Sequence, residues 1–370
     1  MNPRLNGARL ARITTVAAAL VMAGGLTQVA SSPASGQTAA HPAHPSLCAR
    51  SFNPYKARTS LLRACGDKIL TLRNVRRLPG GGKAYDYGAY TELVPPAHFN
   101  VLRASARQLR EYGYPTRRQL GRRWFSIMRH VRHPVRPQPF LVQAPAARPA
   151  AAIAASNPLN WSGYDVTGHD YLGVSAQWFE PSFASSPNCS STAFGQWVGL
   201  GGADDDSPDL GQDGTAFNYP TLAAHQAFVQ VLPNDRNGPV AVDLKAEPGQ
   251  VFFAQVSWDP ANSWYVYFMQ NDGPSGGSAS FHSAPAAAHD GSSAEVITER
   301  PVINGTLSDL SNYGQFQVQF ATGDWGNSSS DGFNDLTNHS ITMGDGNGQT
   351  MSSPGSLMGS NWNMFFTHCN

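Results

Sequence analysis

The chain has 370 residues and a mass of 39.6 kDa, room for two ordinary domains or one large domain with appendages. Hydrophobic residues make up 41%, which excludes wholesale disorder, and only 14% are charged against about 25% in typical globular chains. With 36 Gly and 27 Pro, the balance suits short strands and turns rather than long salt-bridged helices. The net charge of +1 hides an asymmetry. Residues 1–155 hold 23 of the 26 Lys and Arg residues and only four acids (Asp67, Asp86, Glu92, Glu111), a net +19, whereas residues 156–370 carry −18. A basic half alone would point to nucleic acid. Equal and opposite halves in one chain point instead to segments made for each other, so no nucleic-acid partner is expected.

Arg4, Arg9 and Arg12 precede a short apolar run, Ile13 to Leu26, and small residues follow from Ala30 to Gly36. This is the pattern of a signal peptide over residues 1–36. The run is shorter than the ~20 residues needed to span a bilayer, and no later segment reaches that length. The expected product is a soluble, secreted, extracellular protein of bacterial type, monomeric and without a membrane partner. Four cysteines suit an oxidising destination. Of the three possible connectivities, the simplest pairs Cys48 with Cys65 and Cys189 with Cys369.

A polar spacer (37–46) leads into an Arg-rich stretch with some helical pattern. Phe99 to Tyr112 brings Val101, Leu102, Ala106, Leu109 and Tyr112 near one face, and Arg117 to Val131 mixes Arg with Trp124, Phe125, Ile127 and Met128. Pro134, Pro137, Pro139, Pro145 and Pro149 then alternate with Ala up to Ala155, a linker that sets the boundary near that residue. Beyond it the texture is all-β. Alternation marks Gln226–Leu232, Val240–Leu244, Val251–Val256, Trp264–Phe268, Ala294–Thr298 and Gln315–Phe320, separated by Gly, Asn, Asp, Pro and Ser turns. The expected fold is a two-sheet antiparallel β-sandwich of concanavalin-like or jelly-roll type over 156–370, with one sheet face open as a groove.

Most hydrolase signatures are missing: there is no HExxH and no Asp-Thr/Ser-Gly. Gly273–Gly277 matches GxSxG but sits in a Gly/Ser loop without the strand-turn-helix context of a nucleophile elbow. His169, His225, His282, His289, His339 and His368 show no metal-ligand spacing. Ala203–Asp209 and Asp345–Gln349 read as solvated acidic turns. Neither a metal nor a cofactor is expected.

Three stretches stand out, in order: Asn160–Tyr164 (NWSGY); Trp197–Gly201 (WVGLG) with Leu210–Gly214 (LGQDG); and Ser293–Arg300 (SAEVITER). In the last, Glu295 and Glu299 share one strand face with Ile297 between them. The order and spacing resemble the glutamic peptidases, or eqolisins, across essentially all of 157–370. That family has an Asn-Trp-Ser/Gly-Gly element, a Trp-Val-Gly strand, a Leu-Gln-x-Gly stretch with a catalytic Gln and an Ala-Glu-x-Ile-x-Glu strand whose last Glu is catalytic. The resemblance therefore implies a catalytic Gln212 and Glu299 with Trp197 beside them, and substrate contacts at Phe228 and Gln230, while Glu295, on the face of Glu299, is read as raising that residue's pKa by like-charge repulsion or as contacting substrate, and not as catalytic. Two departures fall in this region. Phe228-Val229-Gln230-Val231-Leu232-Pro233 replaces a more aromatic segment with a Glu, and Gly201 replaces an Asp.

The resulting expectation is an acid-acting endopeptidase on protein substrates, secreted as a zymogen with residues 37–155 as prosegment. The alternative is a non-catalytic lectin-like sandwich that binds carbohydrate through Trp178, Trp258 and Trp264. The charge split predicts that the prosegment shields the groove near neutral pH and lets go as carboxylates protonate between roughly pH 3 and 5. Cleavage is expected between about Pro139 and Asn157, where the composition breaks.

Overall fold

The computed structural model describes residues 54–131, 134–144 and 159–370, less short interior stretches at 187–188, 190–191, 204–208, 219–224, 236–237, 275, 287–288, 290, 304–305 and 327–329. The signal peptide, Cys48, residues 145–158 of the linker and most of the Ala203–Asp209 turn lie outside the described residues.

Alternation of apolar and polar side chains sets the architecture, because each strand must bury one face. In β8 (Thr192–Leu200), Phe194, Val198 and Leu200 enter the main core while Trp197 turns to the other side. In β12 (Val251–Asp259), Phe252, Ala254 and Val256 point inward and Phe253 outward. Two antiparallel sheets close over this core, so the expected sandwich is the observed one. Each expected strand is present with its bounds extended: Gln315–Phe320, for example, runs on to Trp325.

The first sheet places β11 (Val240–Ala246), β10 (His225–Leu232), β9 (Leu210–Asn218), β8, β15 (Ser293–Glu299), β6 (Trp161–Thr167) and the strand Thr337–Ile341 side by side. The second runs β14 (Ser278–Ser283), β13 (Trp264–Asn271), β12, β7 (Tyr171–Phe179) and the strand Gln315–Trp325. Cys189 and Cys369 form the expected disulfide. Cys65 is also disulfide-bonded.

The basic segment departs from expectation. Its strands β1 (Lys68–Thr71) and β5 (Phe140–Gln143) pair with each other, and β5 pairs with β11 at the edge of the first sheet. The strands β2 (Asn74–Arg77), β3 (Lys83–Asp86) and β4 (Tyr90–Val94) extend the second sheet beyond β14. Leu70, Tyr87, Tyr90 and Leu141 join the main core, and the Tyr90 hydroxyl donates to the buried Asp235 carboxylate.

The expected helical run Phe99–Tyr112 is split, because Ser105 forms a capping box with Gln108 and starts a new helix, Ala106–Glu111. This helix and its neighbour Trp124–Met128 cover Phe253 and Phe268 on the outer face of the second sheet. Charge contributes little to this seam. Among the described residues, one Arg–carboxylate contact joins the two halves, Arg118 to Asp324 at 4.0 Å. Backbone ladders and apolar burial hold the segment, and its described residues sit at the sheet edges and behind the second sheet rather than over the outer face of the first.

Candidate active site

The outer face of the first sheet carries a second apolar cluster, separate from the core: Trp161, Trp197, Leu210, Phe228 and Ile297. Strand register determines which polar groups meet there. Glu295 pairs with Gly199, Gly199 with Gln212, and Gln212 with Gln230. On the other side Glu295 pairs with Asp165, and Asp165 with His339. Directly paired residues point to the same side of a sheet. One polar row therefore crosses the face: His339, Asp165, Glu295, Gly199, Gln212, Gln230.

Gly199 is the gap in that row. Two strand spacings separate the Gln212 and Glu295 backbones, about 10 Å, with the side-chain-free Gly199 between them. A Cβ added at Gly199 would fall 2.7 Å from Trp197 Cζ3 and 2.8 Å from Leu210 Cδ1, so only glycine fits. Glu295 is fully buried and Gln212 is 5% exposed. The Gln212 amide donates to Gln230 Oε1 at 2.9 Å, while its own Oε1 has no protein partner.

Glu299 lies elsewhere. It pairs with Gly195, and Gly195 with Ala216, which is four residues from Gln212 along β9. That is about 13 Å along the strand in addition to the two strand spacings. By register, Glu295 shares the row of Gln212, and the expected partner Glu299 lies in a row four residues away. The motif contains two glutamates on one face, and only the register tells them apart. Glu299 instead accepts a 2.8 Å hydrogen bond from Trp197 Nε1. Burial raises its pKa, partly offset by that bond and by the nearby Trp161 and Asn160 side chains.

Trp197 thus spans two rows. Its pyrrole edge meets Glu299, its benzo edge lies over Gly199, and Trp161 packs edge-on at 5.1 Å. Phe228 sits one row from Gln212, opposite Gly214, on the same face as Gln230.

Sequence reasoning missed Asp165 and His339. Asp165 is 9% exposed and accepts from His339 Nδ1 at 2.9 Å. Burial raises its pKa, and the histidine partly offsets the rise. The hint in the sequence was an acid two residues past Gly163 on an otherwise buried strand. The aromatic groove expected for a lectin is assembled only in part, since Trp258 and Trp264 line one cleft on the second sheet and Trp178 does not. Trp178 is fully buried in the core, donating to Glu180 at 2.7 Å, and Trp258 packs against that core.

Residues 159–358 match the model of the peptidase A4 family. No curated protein matches the sequence. Among solved structures, the chain is similar to scytalido-glutamic peptidase with a peptide-based transition-state analogue, at 19% identity and TM-score 0.44. The match covers 56% of this chain and 98% of that one. It is similar at the same coverage to SCP-B, a member of the eqolisin family of peptidases in a complex with the tripeptide Ala-Ile-His, at 18% identity and TM-score 0.42. A heptameric SAP-like pentraxin from Limulus polyphemus follows at 9% identity and TM-score 0.19, covering 50% of this chain and 91% of that one. The chain belongs to the peptidase A4 family of glutamic peptidases, hydrolases that act on peptide bonds.

Proposed function

We propose that the protein is an endopeptidase whose catalytic pair is Gln212 and Glu295, with Glu299 as the residue that holds Trp197. The observation that carries this reading is the shared row across Gly199. Peptide hydrolysis needs a base for water, a donor for the oxyanion and an acid for the leaving nitrogen. In this reading a water bound at the Gln212 and Glu295 head groups gives its proton to Glu295 and attacks the scissile carbonyl, and Glu295 returns the proton to the departing amine. With one N–H on Gln230, the Gln212 amide keeps a second N–H for the oxyanion and its carbonyl for orienting the water. Acid activity is supported by the direct pairing of Glu295 with Asp165, since adjacent carboxyl groups disfavour double ionisation.

The test is cleavage of casein at falling pH by three variants. Glu295→Gln should lose nearly all activity, and Gln212→Ala should lose on the order of 10²–10³ in rate, the usual cost of one oxyanion donor. Glu299→Gln should keep measurable turnover with a weaker KM. If Glu299→Gln is dead and Glu295→Gln is active, the pair is assigned the wrong way round.

Secretion and synthesis as a precursor belong to the same reading, supported by the leader pattern and the Ala/Pro linker. Because five strands of the basic segment are built into the two sheets, cleavage in the linker should leave residues 54–143 bound, co-eluting with the sandwich on gel filtration.

A further inference from the structure

On the far side of the sandwich from Gln212, the N-terminal segment and the outer face of the second sheet enclose a cleft of about 750 Å³. That size falls in the range of small-molecule sites, roughly 300–1,000 Å³. Glu111 Oε1, in its lining, has no protein partner, and neither have three acceptor atoms on more deeply buried side chains: Gln255 Oε1, His282 Nε2 and Asp324 Oδ1. Their residues are 5%, 8% and 5% exposed. Leaving buried polar atoms unsatisfied is costly, and three lining one cleft are unusual in a native fold.

Hydrogen bonding fixes the sense of two of them. His282 Nδ1 lies 2.8 Å from the Ser283 carbonyl, which can only accept, so Nδ1 carries the hydrogen and Nε2 is the bare acceptor. Burial lowers the pKa of this imidazole. The Gln255 amide donates to Ser257 Oγ at 2.8 Å, leaving its carbonyl oxygen as acceptor. Trp264, half-buried in the cleft wall, stacks on His282 at 3.8 Å and holds the ring in place. Arg76, Arg107 and Arg110 line the cleft exposed to solvent, with the half-buried Glu111 and Asp259 also in the lining.

Several acceptors beside an aromatic wall call for a compact ligand that carries many O–H donors and an apolar face. A peptide backbone alternates N–H with carbonyl, and its carbonyls would meet these acceptors unfavourably. Sugar rings supply a hydroxyl for each acceptor and a C–H face for the tryptophan. We propose that this cleft binds a short oligosaccharide, with the exposed arginines favouring acidic sugars, and so anchors the peptidase to a polysaccharide surface. The site uses Trp264 from the lectin-like alternative, but on the sheet opposite the peptidase row.

The test is a glycan array of neutral and acidic oligosaccharides probed with the full secreted chain, followed by titration of the best ligand. Gln255→Leu and Trp264→Ala should each weaken binding by about tenfold or more, the order expected for one lost hydrogen bond or ring contact. Both variants should leave casein cleavage unchanged. Trp264 lies outside the main core, so its truncation does not threaten folding, and Gln255→Leu, which removes the amide's bond to Ser257 Oγ along with the unsatisfied acceptor, is checked for folding by circular dichroism. Acidic glycans should outrank their neutral counterparts, and the reverse order overturns the role given to the arginines. An array with no bound glycan, or binding that survives both substitutions, overturns the site.

Discussion

Glu92 offers a direct measure of how the basic segment is held. It lies on β4, 3% exposed, at the seam between the segment and the acidic half. Burial, with the Asp243 carboxylate as a smaller contributor, pushes its pKa from 4.5 up to about 8. Tyr55 and Tyr87, which also feel this charge, are themselves pushed upward by burial. A carboxyl raised on folding is neutral in the folded state. Its contribution is fully present below the unfolded value, about 4.5, and is lost as pH rises through 8. The rise from 4.5 to about 8 corresponds to on the order of 5 kcal/mol. Asp324, raised to about 6 by burial, acts in the same direction. The segment should therefore be held most tightly in acid, the reverse of a latch that acid opens. Urea denaturation of the full chain between pH 4 and 9 should show stability falling with rising pH, with a much flatter curve for Glu92→Gln. Parallel curves for the two proteins would refute the reasoning.

Two further outcomes follow from the site. Gly199→Ala places a methyl against the Trp197 ring and Leu210, so peptidase activity should collapse while the circular dichroism spectrum of the sandwich is retained. His339→Ala removes the hydrogen bond that partly offsets the burial of Asp165, so the Asp165 pKa should climb and, with Asp165 neutral beside Glu295, the acid limb of the pH–rate profile should move to lower pH. An unchanged profile would mean that Asp165 does not communicate with the catalytic row.

The strands of the sandwich were legible because period-two alternation is written locally, as in Val251–Val256 and Gln315–Phe320. The peptidase motifs were legible for the same reason, being short and contiguous. Which glutamate faces Gln212 was not, because Glu295 and Glu299 share a face and differ only in their partners on β8. Asp165 and His339 come from strands far apart in the chain and meet only through the ladder. The strands of the basic segment were missed because some have no buried face to announce them. Asn74–Arg77 is exposed at every position and is a strand only because β3 lies beside it.

Those added strands also bear on solubility. A sandwich cut back to residues 159–370 would end on β11 and β14, whose outer backbone groups now pair with β5 and β4. Open edges of this kind invite a second copy to pair with them and start aggregation. In the full chain, the outermost strand beside β3 is four residues long and carries Arg76 and Arg77, a short charged border on which further strands add poorly. The segment that reads as a disposable leader therefore finishes both sheets, and a chain produced without it should form insoluble aggregates as it folds.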